Sequence, residues 1–320
     1  MTRLHFILAA ALLRFAFVAG GAESRSMVIA MSAPGEEKYT REFLSWTTAW
    51  EAAAATAKIA VTTIGKDAAP ASREQLKAAL SRESSGKEGE LWLVLLGHGS
   101  WSDQTGKFNV AGEDISAEEL RALLAPIERP LIIVAGFAGS GGWLRTLAGE
   151  NRIVVTATKS SSEDGYSRFA GYLSETITDP AADFDRDNQT SLLEAWLEAA
   201  RRTAAFYEAE GRIATEHSLL EDNGDAAGTP SDWFKGVKVV KKSSAKAIAD
   251  GLRAGQIHLV RSPAEAMLPE AIRKERDGLE RSIATLRGTK PEMEEGEYYA
   301  QLEAFLLKLA TLQQNSAGPQ

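Results

Sequence analysis

Segments that are apolar at every position alternate along this chain with helical segments, and this alternation constrains the fold most strongly. Residues 91–96 (LWLVLL) contain no polar side chain, as expected of a central parallel strand that is buried on both faces. The other predicted strands cover residues 27–33, 59–64, 131–134 and 153–158. Because helical patterns with short loops separate these runs, the order predicts an α/β fold with a doubly wound, mainly parallel sheet and helices on both faces.

The longest helical pattern lies between the first two strands, over residues 36–58. Its large apolar residues recur at steps of three or four, which places them on one face of a helix. They are Tyr39, Phe43, Trp46, Trp50 and Ala53. We interpret this stripe as part of the core.

Composition and charge limit the classes of partner. The chain has 320 residues, with 36 Lys+Arg and 44 Asp+Glu, so its formal charge is 36 − 44 = −8. A nucleic-acid partner is not expected, because phosphate binding needs a basic surface. The cysteine count is 0, which excludes disulfides, thiolate metal sites and a cysteine nucleophile.

The N-terminus has the pattern of a secretory signal. Arg3 precedes a largely apolar segment, residues 4–19, and small residues follow it. Residues 1–22 are therefore predicted to be a signal peptide, and the protein to be exported to the periplasm or the extracellular space. The alternative is that translation begins at Met27. A stable membrane span is not expected, because Arg14 interrupts a segment that would need about 20 apolar residues.

Two neighbouring strands of the predicted sheet end in glycine-rich sequences. The first ends in Gly97-His98-Gly99, where the absence of Cβ atoms beside the imidazole would leave room for a ligand. The second leads through Gly139 and Ser140 into a predicted helix, whose first N–H groups could hold an anion or a carbonyl oxygen. Ligands of such sheets bind beyond the carboxyl ends of the strands. Tight strand–helix packing is the alternative reason for the second glycine-rich sequence.

These two strand ends, the sequence RIVVTATKS at 152–160 and the segment 215–225 together resemble the caspase-like clan of cysteine peptidases. The resemblance covers roughly residues 27–235 and is greatest to legumain-type (C13-like) and metacaspase-like bacterial members. It implies that His98 matches the catalytic base and that Ala138 stands where the clan has its cysteine nucleophile. Gly136 takes the place of an acidic residue that often contributes to specificity.

The resemblance further implies a peptide-binding groove near Gly97, Gly99, Gly139 and Ser140, with oxyanion donors on the backbone of residues 99 and 138. Since a methyl group cannot attack a carbonyl carbon, the sequence predicts a catalytically inactive pseudopeptidase that binds a protein or peptide. The alternative is an active hydrolase, a peptidase or esterase, that uses Ser140 with His98. That alternative lacks the G-x-S-x-G sequence of a nucleophile elbow.

An acidic segment that follows the predicted sheet has the spacing of a calcium loop. The side chains with oxygen ligands at the required positions are Asp183, Asp185, Asp187, Ser191 and Glu194. The competing interpretation makes Ser191 the N-cap of the next helix and Glu194 its capping-box partner. Calcium is the one cofactor that the sequence indicates.

The C-terminal part of the chain is predicted to be separate from the α/β domain. We assign residues 27–242 to that domain and residues 243–316 to a helical region. Apolar stripes in two segments joined by Gly288 and Pro291 predict an antiparallel helical hairpin over residues 263–314.

Overall fold

The computed structural model describes residues 25–67, 69–86, 88–102, 105–241 and 249–316. The predicted signal peptide, residues 1–22, lies outside these ranges, so it remains a prediction. The predicted boundary between domains, at residues 242–243, also falls outside them.

The described residues form one large sheet and two small ones. In chain order the strands are β1 (Ser26–Met31), β2 (Ala60–Ile64), β3 (Leu91–Gly97), β4 (Gly99–Ser102), β5 (Thr105–Phe108), β6 (Ile115–Ser116), β7 (Leu131–Phe137), β8 (Arg152–Thr156), β9 (Leu219–Glu221), β10 (Thr229–Pro230), β11 (Phe234–Lys235) and β12 (Lys238–Val239). The large sheet has the order β10-β9-β8-β7-β3-β1-β2. Its pairs from β2 to β8 are parallel, whereas β9 and β10 pair antiparallel, so the prediction of a mainly parallel sheet is confirmed.

Helices cover both faces of the sheet, as predicted. They are α1 (Glu37–Thr56), α2 (Arg73–Glu83), α3 (Ala117–Leu124), α4 (Leu144–Leu147), α5 (Phe169–Thr176), α6 (Leu192–Ala209), α7 (Pro263–Met267), α8 (Glu270–Thr289) and α9 (Glu295–Ser316). Among the residues described, no helix combines the length and the hydropathy needed to cross a bilayer.

Two apolar layers explain why β3 has no polar residue. Trp92, Val94 and Leu96 contribute to the core under α1, α5 and α6, where Trp50 and Trp196 are also buried. Residues 91, 93 and 95 contribute to the second core, which the side chains of α2 and α3 complete. Every residue of β3 and β7 is buried, as expected for central strands with helices on both faces.

Several elements differ from the sequence prediction. Near residues 237–240 the chain forms β12, which pairs with β11 in a separate ribbon and does not extend the large sheet. The small sheet of β4, β5 and β6 follows β3 directly, and nothing in the apolar pattern had indicated it. Antiparallel β9 and β10 were also missed, because strands this short carry little periodicity.

The C-terminal helical hairpin is confirmed, with α8 and α9 as its two arms. Its first arm begins later than predicted, because Leu268 and Pro269 separate α8 from α7. Proline lacks the N–H that a continuous helix would need and disfavours helical geometry in the residue before it.

Candidate functional site

His98 and Ala138 lie beside each other at the carboxyl edge of the sheet. Strands β3 and β7 are parallel neighbours, with Gly97 opposite Phe137 at the last register position. His98 and Ala138 are the next residues of the two strands, so the fold brings together the positions that the resemblance singled out. Neighbouring strands lie about 4.8 Å apart, which leaves the two side chains in the same region of the edge.

The glycines on either side of His98 have a structural reason that differs from the predicted one. Gly97 has φ +130°, and a Cβ atom there would lie 2.0 Å from Ser32 Oγ. A Cβ atom at Gly99 would lie 2.1 Å from the Ala138 carbonyl oxygen. Both glycines therefore permit close contact within the protein, and the room for a ligand beside the imidazole stays a prediction. Ser32 Oγ in turn accepts a hydrogen bond of 2.7 Å from the His98 backbone N–H.

The imidazole of His98 is half-buried in an aromatic surround. The ring centroids of Tyr39 and Phe43 lie 4.6 Å and 4.9 Å from that of His98, both in edge-on geometry, and Tyr166 lies 6.0 Å away. Burial lowers the pKa of His98, and a hydrogen bond to the Pro34 carbonyl partly opposes this shift. In a neutral imidazole, a ring nitrogen that donates to a carbonyl leaves the other nitrogen as an acceptor. A neutral imidazole held in this way can accept a proton through its second nitrogen.

The structure places Ala138 under a loop, in a covered position. Ala138 is only 3% exposed. The next residue, Gly139, donates its N–H to the Glu163 carbonyl over 2.8 Å. Gly139 was assigned to the groove by sequence, and its N–H already has an acceptor in the protein's own backbone.

Ser140 has a structural role in the turn after β7. Its side chain is completely buried, and its Oγ accepts a hydrogen bond of 2.9 Å from the Ala157 N–H. Thr158 Oγ1 lies 3.5 Å from the same hydroxyl and accepts from the Gly141 N–H. The hydrogen bonds found among the described residues include none between Ser140 and His98, which counts against a serine–histidine pair.

The predicted anion site at a helix N-terminus after β7 is not formed. Residues Ser140–Trp143 make a 3-10 turn, and α4 behind it has only four residues. The N–H groups of residues 139 and 141 already have protein acceptors. The alternative of tight packing describes this glycine-rich turn better.

A polar cavity of about 740 Å³ opens beside the aromatic surround of His98. Tyr39 and Tyr166 line the cavity and also contact the imidazole of His98. Arg168 and Tyr207 line the cavity as well. By its helical spacing Tyr39 was expected in the core, and no sequence pattern singled out Tyr166. Only the helical spacing of Tyr39 was visible in the sequence, whereas its position at the exposed start of α1 depends on how that helix lies across the sheet.

The acidic loop combines features of both interpretations. The carboxylates of Asp183, Asp185 and Asp187 converge, with one oxygen from each lying within 4.8 Å of the others. Burial, followed by the charges of Glu194 and Asp187, raises the pKa of Asp185. The capping box is also present, because Ser191 and Glu194 exchange hydrogen bonds of 2.9 Å and 3.2 Å.

Glu194 does not join the three aspartates as predicted. Its Oε1 accepts from the N–H groups of Phe184 and Asp185, and its Oε2 accepts from Ser191. The capping geometry therefore uses the oxygens that a bidentate calcium ligand would need. Calcium binding stays a prediction for the three aspartates.

Comparisons with known proteins give similarity to solved structures alone. No protein-family model matches this chain, and no curated protein matches it. A structural-genomics protein from Geobacter sulfurreducens has 16% identity and a TM-score of 0.42, over 56% of this chain and 89% of its own. The Drosophila initiator caspase Dronc has 12% identity and a TM-score of 0.41, over 62% and 79%. Caspase-1 from Spodoptera frugiperda has 11% identity and a TM-score of 0.41, over 63% and 87%.

Proposed function

We propose that this protein is an exported, catalytically inactive relative of legumain-like or metacaspase-like peptidases that binds a protein or peptide. The observation that carries the proposal is Ala138, which follows β7 at the strand end beside His98. The methyl group of alanine cannot form a covalent acyl intermediate, and the chain has 0 cysteines that could substitute for it. Export rests on residues 1–22 alone.

The surroundings of His98 support binding more than chemistry. A peptide needs backbone donors and a cleft, and neither depends on the side chain at position 138. The cavity beside Tyr39 and Tyr166 offers apolar ring faces together with charged groups such as Lys38 and Arg168. Pockets of this composition orient a ligand through a few polar contacts while the rings supply contact area.

The test restores the missing nucleophile. We expect the full chain to show no turnover against a library of peptides and esters, while Ala138→Cys gains thiol-dependent turnover that a cysteine-directed inhibitor blocks. The double variant His98→Ala, Ala138→Cys should lose that gain, because the thiol would have no base. In Ser-His-Asp enzymes without their nucleophile, only about 10³–10⁴-fold catalysis over water remains.

Two results would contradict the proposal. Wild-type turnover that disappears in both Ser140→Ala and His98→Ala would establish the serine hydrolase. A failure of the wild-type protein to bind any peptide of the library, measured by fluorescence anisotropy, would remove the peptide-binding function.

A further inference from the structure

The loop between β8 and α5, residues 159–166, lies over the strand ends that carry His98 and Ala138. We call it the covering loop. Its Glu163 carbonyl accepts from the Gly139 N–H, and its Tyr166 ring contacts His98. Tyr166 also donates its hydroxyl to Glu42 of α1. The covering loop thus bridges the two positions of the candidate site.

The glycines after Ala138 have no side chains, which lets the covering loop pack closely against them. A Cβ atom at Gly141 would lie 2.2 Å from the backbone of Lys159, and one at Gly142 would lie 1.7 Å from Ser161 Oγ. A Cβ atom at Gly139 would lie 3.2 Å from the Ser161 carbonyl oxygen. Since Cβ atoms essentially never come closer than about 3 Å to such atoms, a side chain at position 141 would push the loop backbone away, and one at position 142 would displace the Ser161 hydroxyl.

The Glu163 side chain connects the covering loop to the segment before β9, and we call its contacts with His217 the latch. The Glu163 carboxylate accepts hydrogen bonds from the backbone N–H groups of Lys159 and His217, over 2.9 Å and 3.1 Å. Its other oxygen lies 2.5 Å from His217 Nδ1. His217 belongs to the segment before β9, so these contacts tie the loop to a separate part of the fold. The imidazole is 43% exposed, which makes this latch accessible to solvent.

The contact with Gly139 has the chemistry of a bound peptide. A backbone carbonyl oxygen accepts from a backbone N–H next to the position of the missing nucleophile, where an external peptide carbonyl would also seek a donor. The covering loop therefore accepts the hydrogen bond of the Gly139 N–H, which would donate to water if the groove were empty.

We infer that the covering loop is an internal occupant of the vestigial site, and that an extended peptide binds by displacing it once the Glu163–His217 latch opens. The identity of the ligand rests on the proposed peptide-binding function. The closed state rests on the loop geometry alone. The peptide's carbonyl would take over the Gly139 N–H. The latch then sets how often the site is open.

The absence of cysteine makes the closed state directly measurable. In Ala138→Cys the introduced thiol is the only one in the full chain, so its reaction with a small disulfide reagent reports access to position 138. We expect slow reaction, because the site is 3% exposed in the closed form. Adding Glu163→Ala should accelerate it at least about tenfold, the equivalent of about 1.4 kcal/mol. His217→Ala in the same background should act in the same direction.

A matched control is the neighbouring acid Asp164, which is exposed. Asp164→Ala removes the same charge from the same loop and should leave the thiol rate unchanged. Thiol rates measured at several low, non-denaturing urea concentrations separate local opening from global unfolding, because local opening exposes little surface and its rate therefore changes little with urea. An equal thiol reaction rate with and without Glu163→Ala would overturn the inference. It would indicate that the β4–β5 hairpin, whose Gly106 also lies against Gly139, buries position 138 instead.

Peptide binding is measured separately on the same proteins, without the introduced thiol. If the latch controls access, Glu163→Ala should bind library peptides about tenfold more tightly than wild type, since less closed state competes. Peptide binding with equal affinity to both proteins would contradict displacement of the loop while leaving the proposed function intact. If Glu163→Ala speeds the thiol reaction but neither protein binds a peptide, the loop opens as inferred, and the peptide ligand and the proposed function are contradicted.

Discussion

Single residues at the strand ends show how a local motif can serve packing. Gly97, Gly99 and Ser140 were predicted from sequence to lie at a peptide-binding groove, yet each contacts another part of the protein closely. His98 differs, because its backbone N–H donates to Ser32 while its ring packs edge-on against Tyr39. Among these residues, His98 alone keeps a side chain suited to chemistry.

Ser140→Ala is expected to destabilise the protein without affecting any activity. The substitution leaves the buried Ala157 N–H without the oxygen it now donates to over 2.9 Å. An unsatisfied buried donor costs about 1–3 kcal/mol, which urea denaturation would resolve. Ser162→Ala, at an exposed serine of the covering loop, is the control and should change stability little. Unchanged stability of Ser140→Ala would contradict the structural role.

At the scale of elements, loops decide what the sheet edge can do. The carboxyl ends of β3 and β7 bring His98 and Ala138 together, and the β8–α5 loop contacts both places, through the Gly139 N–H and through the His98 ring. The loop before α6 is a second example, because one glutamate caps the helix and leaves three aspartates facing one another.

Calcium is expected to raise the thermal midpoint of the full chain relative to a chelator. Carboxylates as close as those of Asp183, Asp185 and Asp187 repel one another, and a bound cation would remove that repulsion and stabilise the folded state. Scanning calorimetry with calcium and with chelator measures the shift. The double variant Asp183→Asn, Asp187→Asn should lose the shift, whereas Asp164→Asn should keep it. Equal midpoints in calcium and chelator would leave helix capping as the loop's sole role.

At the scale of the whole molecule, a buried acidic cluster joins the sheet to the C-terminal region. Asp250 accepts from the Asp222 N–H over 2.9 Å and from the Thr229 hydroxyl over 2.5 Å. Asp222 accepts from the Ala254 N–H over 2.8 Å. Burial raises the pKa of Asp250 to about 7, and it also raises the pKa values of Asp222 and Glu221, while Arg253 nearby favours the charged form of Asp222.

This cluster predicts that stability falls as the pH rises towards neutrality. Between about pH 4 and pH 7 the folded state holds a proton on Asp250 that the unfolded chain has released, so the free energy of unfolding decreases with pH. Asp250→Asn should remove part of that decrease, by about 1–3 kcal/mol between about pH 5 and about pH 8. Urea denaturation at both pH values measures it, with the exposed Asp232→Asn as control.

An opposite contribution comes from His258. Burial lowers the pKa of this histidine, so its share of the stability is lost as the pH falls through the ordinary histidine range. The comparison of Asp250→Asn with wild type cancels this contribution, since both proteins contain it. A pH dependence identical in the two proteins would show that Asp250 is not the titrating group.

The sequence alone indicated a mainly parallel sheet with buried central strands, and the family resemblance placed His98 and Ala138 at the ends of two of them. Continuous apolar runs such as residues 91–96 can be buried only as inner parallel strands, and the carboxyl ends of such strands share one edge of the sheet. The count of 0 cysteines likewise needs no structure to exclude thiol chemistry.

Only the tertiary structure decided whether that edge is open. The covering loop, the latch between Glu163 and His217, and the bond from Ala157 to Ser140 join residues 17 to 54 positions apart, and local patterns do not encode such pairs. The short strands β9 and β10 form for the same reason, because they exist only where β8 offers them a hydrogen-bonding edge. Sequence periodicity reports the face a residue presents, whereas access to the candidate site depends on which distant segment packs over it.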